Sequence, residues 1–202
     1  IGGGMVGLST AFQLINRKIC KKILIIDKES KLGLHSSGRN SGVLHAGIYY
    51  EPNTIKAKVC IEGAKRLIKW CEEEKLEILR CGKVITPQKI ELDHLLDTLY
   101  KRAQINGAKV EIINQAKFDE IVPFGRTSTG RAIWSPNTAV VKPIKIINKL
   151  QEELFSKGVK FFFSETQWSL YEKEKTIELK NNKRINYGHL INCAGLHADR
   201  VA

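Results

Sequence analysis

The chain is 202 residues long, 43% hydrophobic and 27% charged, which is enough apolar material for one large domain or parts of two and excludes a disordered polymer. Its formal net charge of +12 comes mostly from lysines interleaved with glutamates, the pattern of solvated helical faces, and no nucleic-acid-binding motif accompanies it. Five scattered cysteines with no Cys-x-x-Cys pair exclude a disulfide framework and a zinc site, so no metal centre is expected.

In chain order, Ile1-Gly2-Gly3-Gly4-Met5-Val6-Gly7 forms a Gly-x-Gly-x-x-Gly turn. Leu8, Ala11, Phe12 and Ile15 carry it into a helix that Arg17 and Lys18 suit at the C-terminal end. Ile23 to Asp27 is a continuous apolar run closed by an acid, as in a parallel strand buried on both faces. From Lys31 to Asn53 the sequence is rich in Gly, Ser and His without periodicity, a long loop of the kind that carries function.

Asn53 is placed to cap a helix from about Thr54 to Glu74, and a strand is expected around Cys81 to Thr86. Leu92, Leu95, Leu96, Leu99 and Ala103 predict a helix stopped by Gly107, followed by a strand at Val110 to Ile113. Pro143 opens a helix striped by Ile146, Ile147, Leu150 and Leu154 and ended by Gly158, and Val159 to Phe163 is a short strand. Two more strands around Ser169 to Leu179 turn over Asn181-Asn182, and Leu190 to Gly195 reads as a buried strand leading into a helix.

A strand normally delivers the chain into such a glycine turn, and only Ile1 stands before it, while Ala202 falls just inside an expected helix. The sequence is therefore read as a fragment truncated at both ends. No run approaches the roughly 20 apolar residues of a membrane-spanning helix, and the start has no signal-peptide pattern. The expectation is a cytoplasmic protein, with peripheral contact at the inner face of a membrane left open.

Each glycine of the turn has a physical reason. Gly2 allows the tight turn, Gly4 lets backbone approach a pyrophosphate, and Gly7 lets helix and strand pack closely. Asp27 ends the second strand, where a carboxylate can accept hydrogen bonds from adenosine ribose hydroxyls and would repel the extra phosphate of NADP. The motif alone does not separate FAD from NAD.

The loop His35-Ser36-Ser37-Gly38-Arg39-Asn40-Ser41-Gly42-Val43-Leu44-His45-Ala46-Gly47-Ile48-Tyr49-Tyr50 resembles the flavin-contacting segment of L-2-hydroxyglutarate dehydrogenases, within the D-amino-acid-oxidase-like family of FAD-dependent oxidoreductases. Further matches run along most of the chain: Lys56-Ala57-Lys58 with Cys60 and Glu62-Gly63, Cys81-Gly82-Lys83, and Cys193-Ala194-Gly195-Leu196 with Asp199-Arg200. The resemblance implies a doubly wound, Rossmann-like FAD-binding α/β domain interrupted by an incomplete α+β substrate domain. Residues 1–78 and 137–202 would form the former and 79–136 the latter. It implies FAD held by Gly2, Gly4, Gly7, Asp27, Lys28, Ser37, Gly38, Asn40, Ser41, Gly42, Ala194 and Gly195.

The implied reaction is hydride transfer from L-2-hydroxyglutarate to flavin, giving 2-oxoglutarate, with a quinone or oxygen as electron acceptor. His45 is the candidate base for the hydroxyl proton, its alternative being a structural histidine. Arg39 offers a planar fork to a phosphate or a substrate carboxylate, or faces solvent. Tyr49 and Tyr50 line the pocket or serve as core aromatics. His35, His94, His189 and His197 show no partner in the sequence.

Two departures from the family pattern stand out: Arg39 occupies a place where related enzymes often carry His, and Lys142 closes Thr138-Ala139-Val140-Val141-Lys142 where the family usually has an acid. Alternatives are another member of the same family, acting on an amino acid, sarcosine or glycerol 3-phosphate, and a non-catalytic fragment.

Overall fold

The computed structural model describes residues 1–201. In chain order its elements are α1 (Met5–Asn16), β1 (Leu24–Ile26), β2 (Val43–Leu44), α2 (Ile55–Glu73), β3 (Ile78–Leu79), β4 (Lys83–Ile85), α3 (His94–Ile105), β5 (Glu111–Asn114) and α4 (Gln115–Ile121). There follow β6 (Arg131–Ser135), β7 (Ala139–Val141), α5 (Pro143–Ser156), β8 (Lys160–Phe162), β9 (Trp168–Tyr171), β10 (Thr176–Leu179) and β11 (Arg184–Asn186). Two compact units form, one from Ile1–Asn40 with Pro143–Ala202 and the other from Ser41–Lys142.

The first unit is built on parallel pairing. β1 and β8 pair in parallel, Ile25 opposite Phe161. The extended residues before α1 continue the ladder: the Gly2 amide donates to the Ile26 carbonyl at 2.8 Å, and the Cys193 amide to the Ile1 carbonyl at 2.7 Å. The Ile1 amine completes a parallel bridge by donating to the Ile191 carbonyl at 2.7 Å. Lateral order is therefore β8, β1, the Ile1–Gly2 segment, then residues 191–193, the order of a doubly wound dinucleotide domain.

Ile25 and Ile26 are both buried although successive side chains in a strand face opposite ways, so this layer is covered on two sides. Ile26 packs with Ile177 and Leu179 of the antiparallel meander β9–β10–β11. Leu8 and Ala11 of α1 and Ile146, Ile147, Leu150 and Leu154 of α5 are buried, and the two helices pack on each other.

The second unit is antiparallel throughout, with sheets ordered β2-β7-β3 and β4-β6-β5. Ile113, Phe118 and Ala132 form a core with Val84, Ile121, Val122 and Trp134 packed against it. The two units do not follow the expected division at 78/79 and 136/137. β2 and β3, on residues before the first of those boundaries or straddling it, both pair with β7 beyond the second, which stitches all three stretches into one unit.

Several local expectations are corrected. Thr54, not Asn53, caps α2, its Oγ1 accepting the Ala57 amide at 3.2 Å. Asn53 instead takes a left-handed φ of 65° that turns the chain into the helix. The strand expected around Cys81 to Thr86 is the shorter β4, with β3 ahead of it. The Asn181-Asn182 turn joins β10 to the unforeseen β11, while residues 172–175 join β9 to β10. Residues 190–193 make single ladder bonds rather than a continuous strand, and the helix expected beyond them is a 3-10 segment over Gly195–Arg200. Ala202 lies outside the described residues.

Candidate functional site

In the first unit the glycine turn is fixed by backbone crowding. Gly2 has φ +101°, and a Cβ there would lie 2.3 Å from the Cys193 carbonyl oxygen. A Cβ on Gly7 would lie 2.0 Å from the Gly2 carbonyl oxygen, so the missing side chain is what lets α1 start beside the strand residues. Gly4 is the N-cap of α1 and gives no side-chain cap, and no acidic residue occupies the first turn, which leaves the positive helix end to an outside anion.

Asp27 lies beside this turn. Its Oδ2 accepts the Gly3 amide at 2.6 Å and its Oδ1 the Glu29 amide at 2.9 Å. A carboxylate has about four acceptor positions, so two remain for hydroxyls such as those of a ribose. Gly3 escaped the sequence reading because it fills a variable place in the motif, yet a Cβ there would meet Leu32 Cδ2 at 2.2 Å.

Ser37 is brought to the same helix end, its Oγ accepting the Met5 amide at 2.9 Å. A Cβ on Gly38 would lie 2.0 Å from the Gly33 carbonyl oxygen, and Asn40 Nδ2 holds the turn by donating to the Ser36 and Ser37 carbonyls, each at 2.9 Å. Lys28 and His35 both contact Glu29 Oε1, at 2.9 and 2.8 Å. These hydrogen bonds, from Lys28 first and His35 second, hold the Glu29 carboxyl below its usual pKa. His35 therefore has a partner that the sequence did not reveal, as does His94, whose Nδ1 lies 2.9 Å from the Glu91 carbonyl. Arg39 is exposed, with no ion pair among the described residues. The Ala194 amide donates to Asn192 Oδ1 at 3.2 Å, and Gly195, at φ +59°, opens the 3-10 segment.

The remaining expected residues belong to the second unit. Ser41 is exposed; Gly42 takes φ +67°, and its carbonyl accepts the Val141 amide at 3.0 Å. His45 follows β2 and meets Tyr49 edge to face, with ring centroids 6.4 Å apart and planes at 74°. The Lys83 ammonium sits over the Tyr49 ring, 4.2 Å from its centroid. Desolvation first, and the Lys83 charge second, pull the His45 pKa below its ordinary value and favour the neutral imidazole that can accept a proton.

Three carbonyls of this loop are tied down from α3 and the residue after it. Arg102 Nη1 donates to Tyr49 O at 3.0 Å, and Asn106 Nδ2 to Gly47 O at 2.9 Å and Tyr50 O at 2.8 Å. Tyr50 is half-buried with Lys56 Nζ 4.8 Å above its ring, whereas Tyr49 is 40% exposed. Arg102 and Asn106 carried no sequence signal, since they act across 53 to 59 residues of chain. Lys83 had one, as part of Cys81-Gly82-Lys83. Lys142, the charge departure, reaches Glu77 Oε2 at 2.7 Å in an exposed pair and holds the Glu77 carboxyl below its usual pKa.

Among the described residues no group of His, Cys, Asp and Glu could hold a metal ion, and no helix is long and apolar enough to cross a membrane. All five cysteines are free. The crowded glycines, the open helix end and the spare acceptors of Asp27 fit the pyrophosphate and ribose of a dinucleotide such as FAD.

Comparison with known proteins agrees. The chain is 37% identical to the mitochondrial L-2-hydroxyglutarate dehydrogenase of Caenorhabditis elegans, covering 100% of this chain and 48% of that protein. It is 35% identical to the L-2-hydroxyglutarate dehydrogenase of Indibacter alkaliphilus, covering 100% and 51%, and 32% identical to the human mitochondrial enzyme, covering 100% and 46%. The chain thus spans about half the length of the curated relatives it matches. Its fold matches that of L-alpha-glycerophosphate oxidase from Mycoplasma pneumoniae, a structure with FAD bound, at a TM-score of 0.81 and 20% identity over 99% of this chain and 54% of that one. It matches glycine oxidase from Geobacillus kaustophilus at 0.84 and 16%, over 98% and 55%. The profile of FAD dependent oxidoreductases covers residues 1–202, and the chain belongs to that family.

Proposed function

We propose that the protein carrying this chain oxidises L-2-hydroxyglutarate to 2-oxoglutarate, with FAD held by Gly2, Gly4, Gly7, Asp27, Lys28, Ser37, Gly38, Asn40, Ser41, Gly42, Ala194 and Gly195. Identity of 32–37% along the whole chain to dehydrogenases of that substrate carries this reading. The turn at Gly2 to Gly7 beside Asp27 supports its cofactor half.

FAD would supply the hydride acceptor, and the chain's own residues do the rest. The N-terminal end of α1, whose first amide donates to Ser37 Oγ, would turn its positive dipole to the pyrophosphate, and Asp27 would take ribose hydroxyls on its spare acceptor positions. His45, whose surroundings lower its pKa and so favour the neutral imidazole, would accept the hydroxyl proton as the alcohol carbon gives up hydride. Arg39, exposed and without an ion pair among the described residues, is the candidate for an anionic group of cofactor or substrate. Tyr49 flanks the base, and Tyr50 anchors the loop. By role, 1–78 and 137–202 go with the cofactor and 79–136 with the substrate. The electron acceptor is a quinone or oxygen, the quinone route calling for peripheral contact with a membrane.

The test uses the full-length protein. It purifies yellow, releases FAD rather than FMN, and its visible flavin absorption bleaches anaerobically with L- but not D-2-hydroxyglutarate. Faster bleaching by glycine, sarcosine or glycerol 3-phosphate would replace the substrate and keep the family.

A further inference from the structure

Lys83 stands apart from most lysines of the second unit. It is half-buried on β4, no carboxylate lies within ion-pair distance of it among the described residues, and its ammonium is held over Tyr49, the ring that His45 meets edge-on. The lysines that offset glutamates here, Lys69, Lys117 and Lys142, are exposed and paired at 3.8, 2.7 and 2.7 Å. The aromatic face gives the ammonium a partner but no opposite charge, so it is left to pair with an anion from outside. Gly82, immediately before, turns the chain there: at φ +68° it passes so closely over Trp134 that a Cβ would lie 1.9 Å from Cη2.

We propose that Lys83, over Tyr49 and beside His45, is a specificity-determining residue that binds the second carboxylate of a dianionic 2-hydroxy acid. His45 takes the hydroxyl proton, so a cation held on the ring that His45 meets selects what the rest of the substrate must carry. A monoanionic 2-hydroxy acid leaves Lys83 without a counter-charge, and discrimination against it follows from that unmet charge rather than from size. The inference rests on the 2-hydroxy-acid reading given under Proposed function.

The experiment compares full-length, FAD-loaded wild type with Lys83→Gln, Lys83→Arg and, as a control, Lys56→Gln, whose ammonium faces Tyr50. Anaerobic flavin reduction is followed with L-2-hydroxyglutarate and with L-2-hydroxybutyrate, which lacks the second carboxylate. Calorimetry measures glutarate binding without turnover. Lys83→Gln should raise the concentration of L-2-hydroxyglutarate needed for half-maximal reduction by roughly 30-fold or more, given a charge-assisted contact. It should weaken glutarate by a similar factor, and change L-2-hydroxybutyrate by less than about threefold. Lys83→Arg should keep most of the selectivity, and Lys56→Gln all of it. Equal losses with both substrates, or no loss of glutarate affinity in Lys83→Gln, would overturn the proposal. If wild type bleaches with no 2-hydroxy acid, the reading of the reaction fails. Glutarate binding then still decides Lys83: loss of binding in Lys83→Gln keeps the anion site, and no binding in wild type removes it.

Discussion

The two units hold their key groups by different means. Around Gly2 the positions are set by backbone against backbone: Gly2 against Cys193, Gly7 against Gly2, Gly38 against Gly33, with Asp27 bonded to the amides of Gly3 and Glu29. Around His45 they are set by side chains reaching across the fold, Arg102 and Asn106 to loop carbonyls and Lys83 to Tyr49. A backbone-built site tolerates almost no added atom. A side-chain-built one can lose a contact and keep its shape, so damage there appears in rate and selectivity before it appears in folding.

The sharpest break of that contrast is Gly7→Ala. Its new methyl would sit 2.0 Å from a carbonyl oxygen fixed by the sheet, and neither α1 nor the turn can give way cheaply. The expected result is loss of bound flavin by roughly tenfold or more, measured as the ratio of visible to protein absorbance. Full flavin occupancy in this variant would mean that the helix start does not serve the cofactor.

In the second unit the corresponding test is His45→Ala, which touches the rate and leaves the cofactor in place: flavin reduction should slow roughly 100-fold with FAD retained. The pH profile sharpens it. Since burial and Lys83 lower the imidazole pKa, the neutral base persists to more acid solution, and the acid limb of kcat/KM should fall below the ordinary imidazole value of about 6.5. Lys83→Gln removes one of the two causes and should move that limb upward. A limb that ignores Lys83 would leave desolvation as the whole cause of the shift, and unchanged reduction in His45→Ala would take His45 out of the mechanism; loss of FAD would make it a cofactor-positioning residue.

How much was legible follows the same division. The glycine turn, α1 and the apolar strand ending at Asp27 were readable because their causes are local: a fixed spacing of glycines and a run of Leu24, Ile25 and Ile26. The stripe of Ile146, Ile147, Leu150 and Leu154 likewise announced α5. α4 was missed although Asn114 caps it, its Oδ1 accepting the Lys117 amide at 3.0 Å, because seven residues give too short a period to detect. β6 was missed because Arg131-Ala132-Ile133-Trp134-Ser135 alternates poorly: it is a central strand with Ala132, Ile133 and Ser135 all buried. The division at 78/79 failed to match the compact units for a non-local reason, the pairing of β2 and β3 with β7, which no window of sequence contains.

A middle-sized test falls on Gly82, where the second unit also leaves no room for a Cβ, though here against the Trp134 side chain rather than backbone. Gly82→Ala would force a left-handed residue and push into Trp134, so it should destabilise that unit by about 1–3 kcal/mol, read from the denaturation midpoint. If Lys83 depends on this bend, selectivity between L-2-hydroxyglutarate and L-2-hydroxybutyrate should fall as well. A destabilised variant with unchanged selectivity would separate the packing of Trp134 from the aim of Lys83.

The smallest expected effect belongs to the most conspicuous sequence departure. Where the resemblance leads one to expect an acid, the Lys142 ammonium pairs with Glu77, and both side chains are well exposed. Such pairs are weak and screened by salt. The Glu77 pKa is lowered in the folded state, so whatever the pair contributes is present above the unfolded glutamate value of about 4.3 and is lost as pH falls through the folded one. A double-mutant cycle of Lys142→Ala and Glu77→Ala should show coupling only at low ionic strength and neutral pH, none at high salt, and a decline as pH falls through the lowered Glu77 pKa. Lys142→Glu, which restores the acid of the family pattern, would set two carboxylates together and lower stability slightly under the same low-salt conditions. Neither change should alter flavin reduction, because the pair is satisfied within itself. A Lys142→Glu protein that reduces flavin several-fold faster, or that prefers a different 2-hydroxy acid, would show that this position serves the substrate after all and that Glu77 merely occupies it.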